Sequence, residues 1–153
     1  MLLATAVSVA LLAITIVIHY EALRLVSRSL PGPERLALRW RMILVVLACF
    51  AAHALQVWVY AIAYYLFADD LRLGSLTGAT HNRIFDFLYF SATTFTSLGI
   101  GDISPIGATR IVAAVESLNG LLLIAWSASF TYLVMRTYWP MERDSEGNPP
   151  GKI

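Results

Sequence analysis

Three long apolar runs dominate the hydrophobic pattern of the chain. They cover residues 2–23, 42–67 and 108–137, and no charged side chain occurs before Glu21. A helix needs about 20 predominantly apolar residues to cross the hydrocarbon core of a bilayer. Each run is long enough, so the pattern predicts three transmembrane helices, the first of them formed by residues 1–23.

A shorter amphipathic segment, residues 84–96, leads into the sequence Ser97-Leu-Gly-Ile-Gly-Asp102. This segment is too short to cross a bilayer. Irregular backbone at membrane depth persists only where protein buries it or where it lines water. The order of segments therefore predicts an external loop at 68–83, a re-entrant helix at 84–96 and a pore-lining loop at 97–102.

Composition supports a membrane protein. Of the 153 residues, 58% are hydrophobic and 14% are charged, and a soluble domain of this length could not bury that much apolar surface. A net charge of +1 gives no reason to expect a nucleic-acid partner. Residues 1–20 lack the basic start of a signal peptide and exceed its apolar core of about 7–15 residues, which favours a retained helix.

Positive charge is concentrated between the first two apolar runs. Residues 24–41 contain a single acid, Glu34, against five basic side chains: Arg24, Arg28, Arg35, Arg39 and Arg41. Short basic loops stay on the cytoplasmic side. The linker at 24–41 is therefore predicted to be cytoplasmic, which places the N-terminus outside. The polar tail at 138–153 is predicted to be cytoplasmic and mostly disordered.

The glycine spacing in the loop suits an ion pathway. Rings of backbone carbonyls can replace the hydration shell of an ion, and aiming consecutive carbonyls at one axis requires alternating backbone hand. Glycine adopts positive φ at little cost, and Gly99 and Gly101 are separated by one residue. The alternative is a glycine-rich turn between two helices, but such a turn does not require the apolar segment that precedes it.

Residues 42–137 resemble the pore domain of small bacterial potassium channels with two transmembrane helices per subunit. The resemblance implies an outer helix at 42–67, a pore helix at 84–96, a selectivity filter at 97–102 and an inner helix at 108–137. The expected protein is an all-α membrane protein with three transmembrane helices, a re-entrant pore helix and a filter loop. It would form a homotetramer in the cell inner (plasma) membrane, with no soluble partner.

The resemblance also implies a mechanism, passive K⁺ conduction, in which K⁺ is the permeant ion and no cofactor takes part. The implied carbonyl ligands of K⁺ belong to Ser97, Leu98, Gly99 and Ile100. Gly101 completes the filter, and Asp102 stands at its outer mouth.

Three positions depart from the family pattern. Ile100 replaces an aromatic filter residue, Ser97 replaces threonine, and Thr93 stands where some relatives carry a buried glutamate. Ile100 can pack on Phe90 but cannot form the hydrogen bond that an aromatic filter residue often makes. The departures leave two functions open, a potassium-selective channel and a weakly selective cation channel.

Other roles are carried over from the resemblance. Phe90, Thr93 and Thr94 would support the filter, and Gly120 would be either a hinge of the inner helix or a site of close packing. The residues expected to line the cavity and the inner gate are Ile124, Ala128 and Tyr132.

Glu116 lies inside the third apolar run, where an ionisable side chain is costly and usually functional or paired. We expect it to support the filter by a hydrogen bond to Thr93 or to the filter backbone. The alternative is an ion pair with Arg110.

His53 and Gln56 lie about one turn apart in the second apolar run, and we expect them to hydrogen-bond to a neighbouring helix. A membrane haem protein, with His19 and His53 as paired ligands, is a rival interpretation. Their distances from the predicted helix ends place the two histidines roughly 10 Å apart in depth, which argues against it. A non-conducting accessory subunit is a further alternative, and no enzyme is indicated.

Overall fold

The structure, a computed structural model, describes residues 2–30, 38–69, 74–78 and 83–138. Its elements, in chain order, are α1 (Leu2–Ser29), α2 (Leu38–Asp69), β1 (Gly74–Thr77), α3 (Arg83–Phe95), β2 (Ser104–Gly107) and α4 (Thr109–Tyr138). Three helices, α1, α2 and α4, are long and apolar enough to span a membrane. The predicted fold class, an all-α membrane protein, is confirmed.

The spanning helices extend beyond their apolar runs at the arginine-rich ends. Helix α1 continues past residue 23 to Ser29, and α2 already begins at Leu38. Arginine is a good helix former, and its aliphatic stem covers apolar surface while the charged end reaches water. The end of an apolar run therefore marks the boundary of the hydrocarbon core, whereas the helix itself can continue beyond it. The remaining parts of the predicted linker, external loop and tail, at 31–37, 70–73, 79–82 and 139–153, lie outside the described residues.

Helix α3 packs against α2 and α4, and α1 packs on the same two helices. The largest apolar side chains of the main core, all fully buried, come from α2, α3 and α4: Tyr60, Tyr64, Phe67, Phe95 and Leu123. A second buried cluster joins α1, α2 and α4: Leu23, Val26, Val45, Cys49 and Val134. This packing holds the short helix α3 between the spanning helices.

A two-stranded antiparallel sheet, which the sequence analysis did not predict, brackets α3 and the loop. Strand β1 pairs with β2 in the register Gly74 with Gly107 and Thr77 with Ser104. The Thr109 hydroxyl, at the start of α4, lies 2.7 Å from the Ile106 carbonyl oxygen, to which it donates a hydrogen bond. The sheet thus ties the chain before α3 to the chain directly after the loop.

Candidate functional site

The loop begins as a cap on the C-terminus of α3. The Leu98 amide donates to the Thr93 carbonyl over 2.8 Å, and the Ser97 amide donates to the Thr94 carbonyl over 2.9 Å. These two bonds form a Schellman motif, in which the residue after the helix is left-handed and is usually glycine. Ser97 takes that position with φ of 57°. The end of α3 therefore sets the direction in which the loop starts.

Beyond the cap, the backbone alternates in hand. Ser97, Gly99 and Gly101 have φ of 57°, 55° and 88°, whereas Leu98 and Ile100 are not among the residues with positive φ. Such alternation is the backbone condition for consecutive carbonyls to face a common axis. A Cβ added to Gly99 would meet no atom within 4 Å, so glycine is needed there for its conformation and not for space.

The loop has little contact with its own chain. Residues 97–102 are all exposed, with Leu98 at 66% and Ile100 at 57%. Phe90, on which Ile100 could pack, is buried and packs edge to face on Tyr64, with ring centroids 5.1 Å apart. The outward apolar side chains of the loop thus lack a packing surface in a single subunit.

One side-chain contact connects the start of the loop to α4. The Ser97 and Ser117 hydroxyl oxygens lie 2.9 Å apart. Sequence reasoning missed Ser117, because a lone serine in an apolar helix has no local signal that shows what it faces. Of the other expected supports, Thr93 donates its hydroxyl hydrogen to the Phe90 carbonyl of its own helix over 3.0 Å, and Thr94 is half-buried.

The far end of the loop is fixed at Asp102. Its carboxylate accepts a hydrogen bond from the Ile103 amide at 3.0 Å. Gly78, just after β1, has φ of 79°, and a side chain there would overlap the Asp102 carbonyl oxygen. Both ends of the loop are therefore held, although its middle is free.

Glu116 lies behind α3 and is fully buried. It bonds neither Thr93 nor the loop backbone, and it forms no salt bridge with Arg110 within the described part of the chain. Its carboxyl group instead accepts a hydrogen bond from the Tyr64 phenol and lies 2.5 Å from the Ser91 hydroxyl oxygen. Glu116 thus connects α4 to α2, through Tyr64, and to α3, through Ser91. We call these three residues the wall behind the loop.

The hydrogen bonds around Ser91 indicate that the carboxyl group of Glu116 is neutral. The Ser91 hydroxyl oxygen lies 2.9 Å from the Val57 carbonyl oxygen as well as 2.5 Å from Glu116, but it carries one hydrogen. If Glu116 holds a proton, it donates to Ser91, Ser91 donates to Val57, and Tyr64 donates to the second carboxyl oxygen. Every group is then satisfied, and no unpaired charge is buried.

Gly120 allows α4 to approach the end of α3. A Cβ at this position would overlap the carbonyl oxygen of Phe95, and α4 is continuous through it. Close packing, one of the two expected roles, therefore has a direct structural reason, whereas the hinge role stays a prediction.

The predicted cavity residues share an exposed face of α4. Ile124, Ala128 and Tyr132 are each separated by four residues, the spacing that places side chains on one side of a helix, and all three are exposed. Ile124 also lines an apolar cavity of about 380 Å³ between α2, α3 and α4, together with Trp58 and Phe95.

A second polar cluster joins α1 to α2 and α4. Gln56 donates to His19 over 3.3 Å, and His53 lies 3.0 Å from both Gln56 and Ser127. Ser127 lies 3.4 Å from His19. These contacts close a ring in which each side chain donates once and accepts once. The expected bonding of His53 and Gln56 to a neighbouring helix is present.

The depth argument against a haem was wrong. The His19 and His53 rings stack with centroids 5.1 Å apart and planes at 26°. The helix ends explain only part of the error. Counted from Ser29 and Leu38, the two histidines still differ by five residues, so the remainder arises because α1 and α2 do not end at the same depth. The stacking itself disfavours a shared iron, since all four ring nitrogens lie against hydrogen-bond partners. No metal-holding group of three or more His, Cys, Asp or Glu occurs in the described residues.

The sequence matches the profile of a family described as "ion channel" over residues 42–136. The match begins in α2 and ends in α4, so it includes α3 and the 97–102 loop and covers more than half of the chain. The chain belongs to the ion channel family. Comparison with curated proteins and with solved structures gives no match.

Family membership confirms the predicted relationship to channel subunits with two transmembrane helices, here with an additional N-terminal helix. The channel is a membrane protein, and members of such families generally assemble as oligomers and are not enzymes. Helix α1 lies outside the matched residues, so its contacts come from the structure alone.

Proposed function

We propose that this channel is potassium-selective and conducts passively through the 97–102 loop. The carbonyl groups of Ser97, Leu98, Gly99 and Ile100 would bind dehydrated K⁺ in single file. The observation that supports this most directly is the alternation of backbone hand at residues 97–101, because a turn that merely joined two helices would not need it. Asp102 would stand at the outer mouth.

The proposed assembly is a homotetramer. One chain contributes one loop, and a ring of carbonyls around an ion requires several copies. The exposed side chains of Leu98 and Ile100 would pack against neighbouring subunits there. Ile124, Ala128 and Tyr132 would line the cavity below the ring and its inner gate. We place the N-terminus outside and the C-terminus in the cytoplasm of the cell inner (plasma) membrane, because of the arginine-rich linker.

The structure also favours a second candidate, a weakly selective cation channel. Ile100 cannot hydrogen-bond through its side chain and is 57% exposed. The middle of the loop is therefore less constrained than its ends. A looser ring discriminates less well between K⁺ and Na⁺ than a rigid one, if field strength and geometry both contribute to selectivity.

A flux assay on purified protein in liposomes tests the proposal. Flux with a K⁺ gradient but not with an equal Na⁺ gradient, blocked by Ba²⁺, is the expected result. Equal flux of both ions would replace it with the weakly selective channel. No flux of either ion, from protein with intact helicity, would contradict conduction and favour a non-conducting accessory subunit.

A further inference from the structure

A groove between α1 and α4 combines positive charge with aromatic surface. It has a volume of about 430 Å³, and its lining residues are Tyr20, Leu23, Arg24, Ser27, Arg28, Trp126 and Phe130. We propose that this groove binds one anionic phospholipid, with the phosphate between the two arginines and an acyl chain against the aromatic side chains.

The basic side of the groove presents donors suited to phosphate. Arg24 and Arg28 are four residues apart and so share a face of α1, with the Ser27 hydroxyl between them in sequence. Glu21 accepts two hydrogen bonds of 3.0 Å from Arg24, both from Nη1. A guanidinium has five N–H donors, so this exposed pair leaves the other nitrogens of Arg24 for a phosphate. Glu21 itself does not line the groove.

The other side of the groove is suited to hydrocarbon. Leu23 is buried, Phe130 is half-buried, and Trp126 is 39% exposed. Tryptophan and tyrosine are enriched where membrane helices meet the headgroup region, and Tyr20 lies at the same end of α1. A soluble anion would contact the arginines but would leave this aromatic surface uncovered.

The position of the groove favours a lipid over free phosphate. Both walls belong to helices that are able to span a membrane, and the arginines begin where the first apolar run ends. Basic pockets between spanning helices attract anionic headgroups. Such a lipid would bridge α1, which lies outside the family match, and α4, which carries the proposed gate residue Tyr132. The inference concerns lipid binding alone and does not depend on ion selectivity.

Quenching of Trp126 fluorescence tests the site. The full chain is reconstituted in phosphatidylcholine vesicles that contain increasing fractions of brominated phosphatidylglycerol, and brominated phosphatidylcholine serves as the comparison. The Trp126→Phe variant gives the background from the other tryptophans. We expect Trp126 to be quenched at lower mole fractions of the anionic lipid. The double variant R24Q/R28Q should bind it roughly 25-fold more weakly, about fivefold for each arginine.

Arg39→Gln is the matched control, because Arg39 is an exposed arginine on α2 that does not line the groove. It should leave quenching unchanged, and R24K/R28K, which keeps both charges, should lose less than R24Q/R28Q. Equal quenching by both lipids, or unchanged binding by a folded R24Q/R28Q variant, would overturn the proposal. Competition by soluble glycerol phosphate would show a site for free phosphate and would also overturn it.

Discussion

The 97–102 loop and the wall behind it are stabilised in different ways. The loop, residues 97–102, is exposed, and its middle makes no side-chain contact that would fix it. The wall, in which Glu116 meets Tyr64 and Ser91, is buried and fully hydrogen-bonded within one subunit. The comparison indicates that a single chain completes the support, whereas the loop is held only by its own backbone conformation and at its two ends. In the proposed homotetramer, neighbouring subunits would supply the contacts that its middle lacks.

The largest effect is expected from substitutions that disturb the backbone conformation of the loop and leave the wall unchanged. Gly99→Ala and Gly101→Ala place a side chain at positive φ, which costs roughly 1–2 kcal/mol at each position. Because a Cβ at Gly99 meets no atom within 4 Å, the subunit should still fold while ion flux is lost. Liposome flux and helix content by circular dichroism measure the two outcomes separately.

Ser97→Gly is the control for these variants. Ser97 also has positive φ, and glycine is favoured at that position of a Schellman motif. Glycine relieves the strain of positive φ but removes the hydroxyl group that contacts Ser117, so the variant should fold about as stably as the parent and should still conduct ions. If Gly99→Ala and Gly101→Ala conduct normally, the alternation of backbone hand is not what the pore requires.

The next largest effect is expected from removing the hydrogen bonds that Glu116 forms in the wall. Glu116→Ala removes the partner of the buried Tyr64 phenol, and each unsatisfied buried group costs about 1–3 kcal/mol. The unfolding midpoint in detergent should fall clearly, and flux should fall with it as α3 loses its position. Glu116→Gln sharpens the test, because an amide can donate to Ser91 and accept from Tyr64 as a neutral carboxyl does.

We therefore expect Glu116→Gln to change stability and flux far less than Glu116→Ala. Infrared spectra supply an independent readout, since the parent should show the C=O band of a protonated carboxylic acid that Glu116→Gln lacks. Equal damage by both variants, without that band in the parent, would show that Glu116 acts as an ionised group.

The sequence was informative about the loop and uninformative about the wall, for a physical reason. The spacing of Gly99 and Gly101 is a local signal, because backbone hand is a property of each residue. The partners of Glu116 depend on how α4 is rotated against α2 and α3, because Ser91 and Thr93 lie on different faces of α3. Periodicity finds an amphipathic or apolar helix but does not fix its rotation against its neighbours.

Sequence reasoning also misjudged the relative depth of His19 and His53. Apolar run lengths located three spanning helices correctly but misplaced their ends by several residues, because arginines continue a helix past the lipid boundary. A depth counted from those ends was therefore wrong for His19 and His53, and it also assumed that α1 and α2 end at the same depth. The β1–β2 pairing was missed for a different reason: the strands are short, and Gly74, Pro105 and Gly107 weaken any strand signal.

A smaller effect is expected where α4 approaches the backbone at the end of α3. Gly120→Ala would press a Cβ against the Phe95 carbonyl oxygen, and overpacking of this kind typically costs about 1–3 kcal/mol. The unfolding midpoint should drop although alanine is the better helix former. Ala125→Val, which adds carbon atoms at an exposed position of α4, is the comparison and should have little effect. A more stable Gly120→Ala variant would contradict the close approach of α4 to α3.

The smallest effect is expected at Ser117, the one side chain by which α4 reaches the loop through a hydrogen bond. Ser117→Ala removes a partner from the Ser97 hydroxyl, a loss of about 0.5–1.5 kcal/mol, and frees that hydroxyl to turn toward the ion pathway. Stability should barely change, but the ratio of K⁺ to Na⁺ flux should shift. Ser129→Ala is the control, because Ser129 bonds the Ala125 carbonyl of its own helix at 3.0 Å. If both variants leave the flux ratio unchanged, support from α4 does not extend to selectivity, and the loop takes its rigidity from its cap on α3 and from neighbouring subunits.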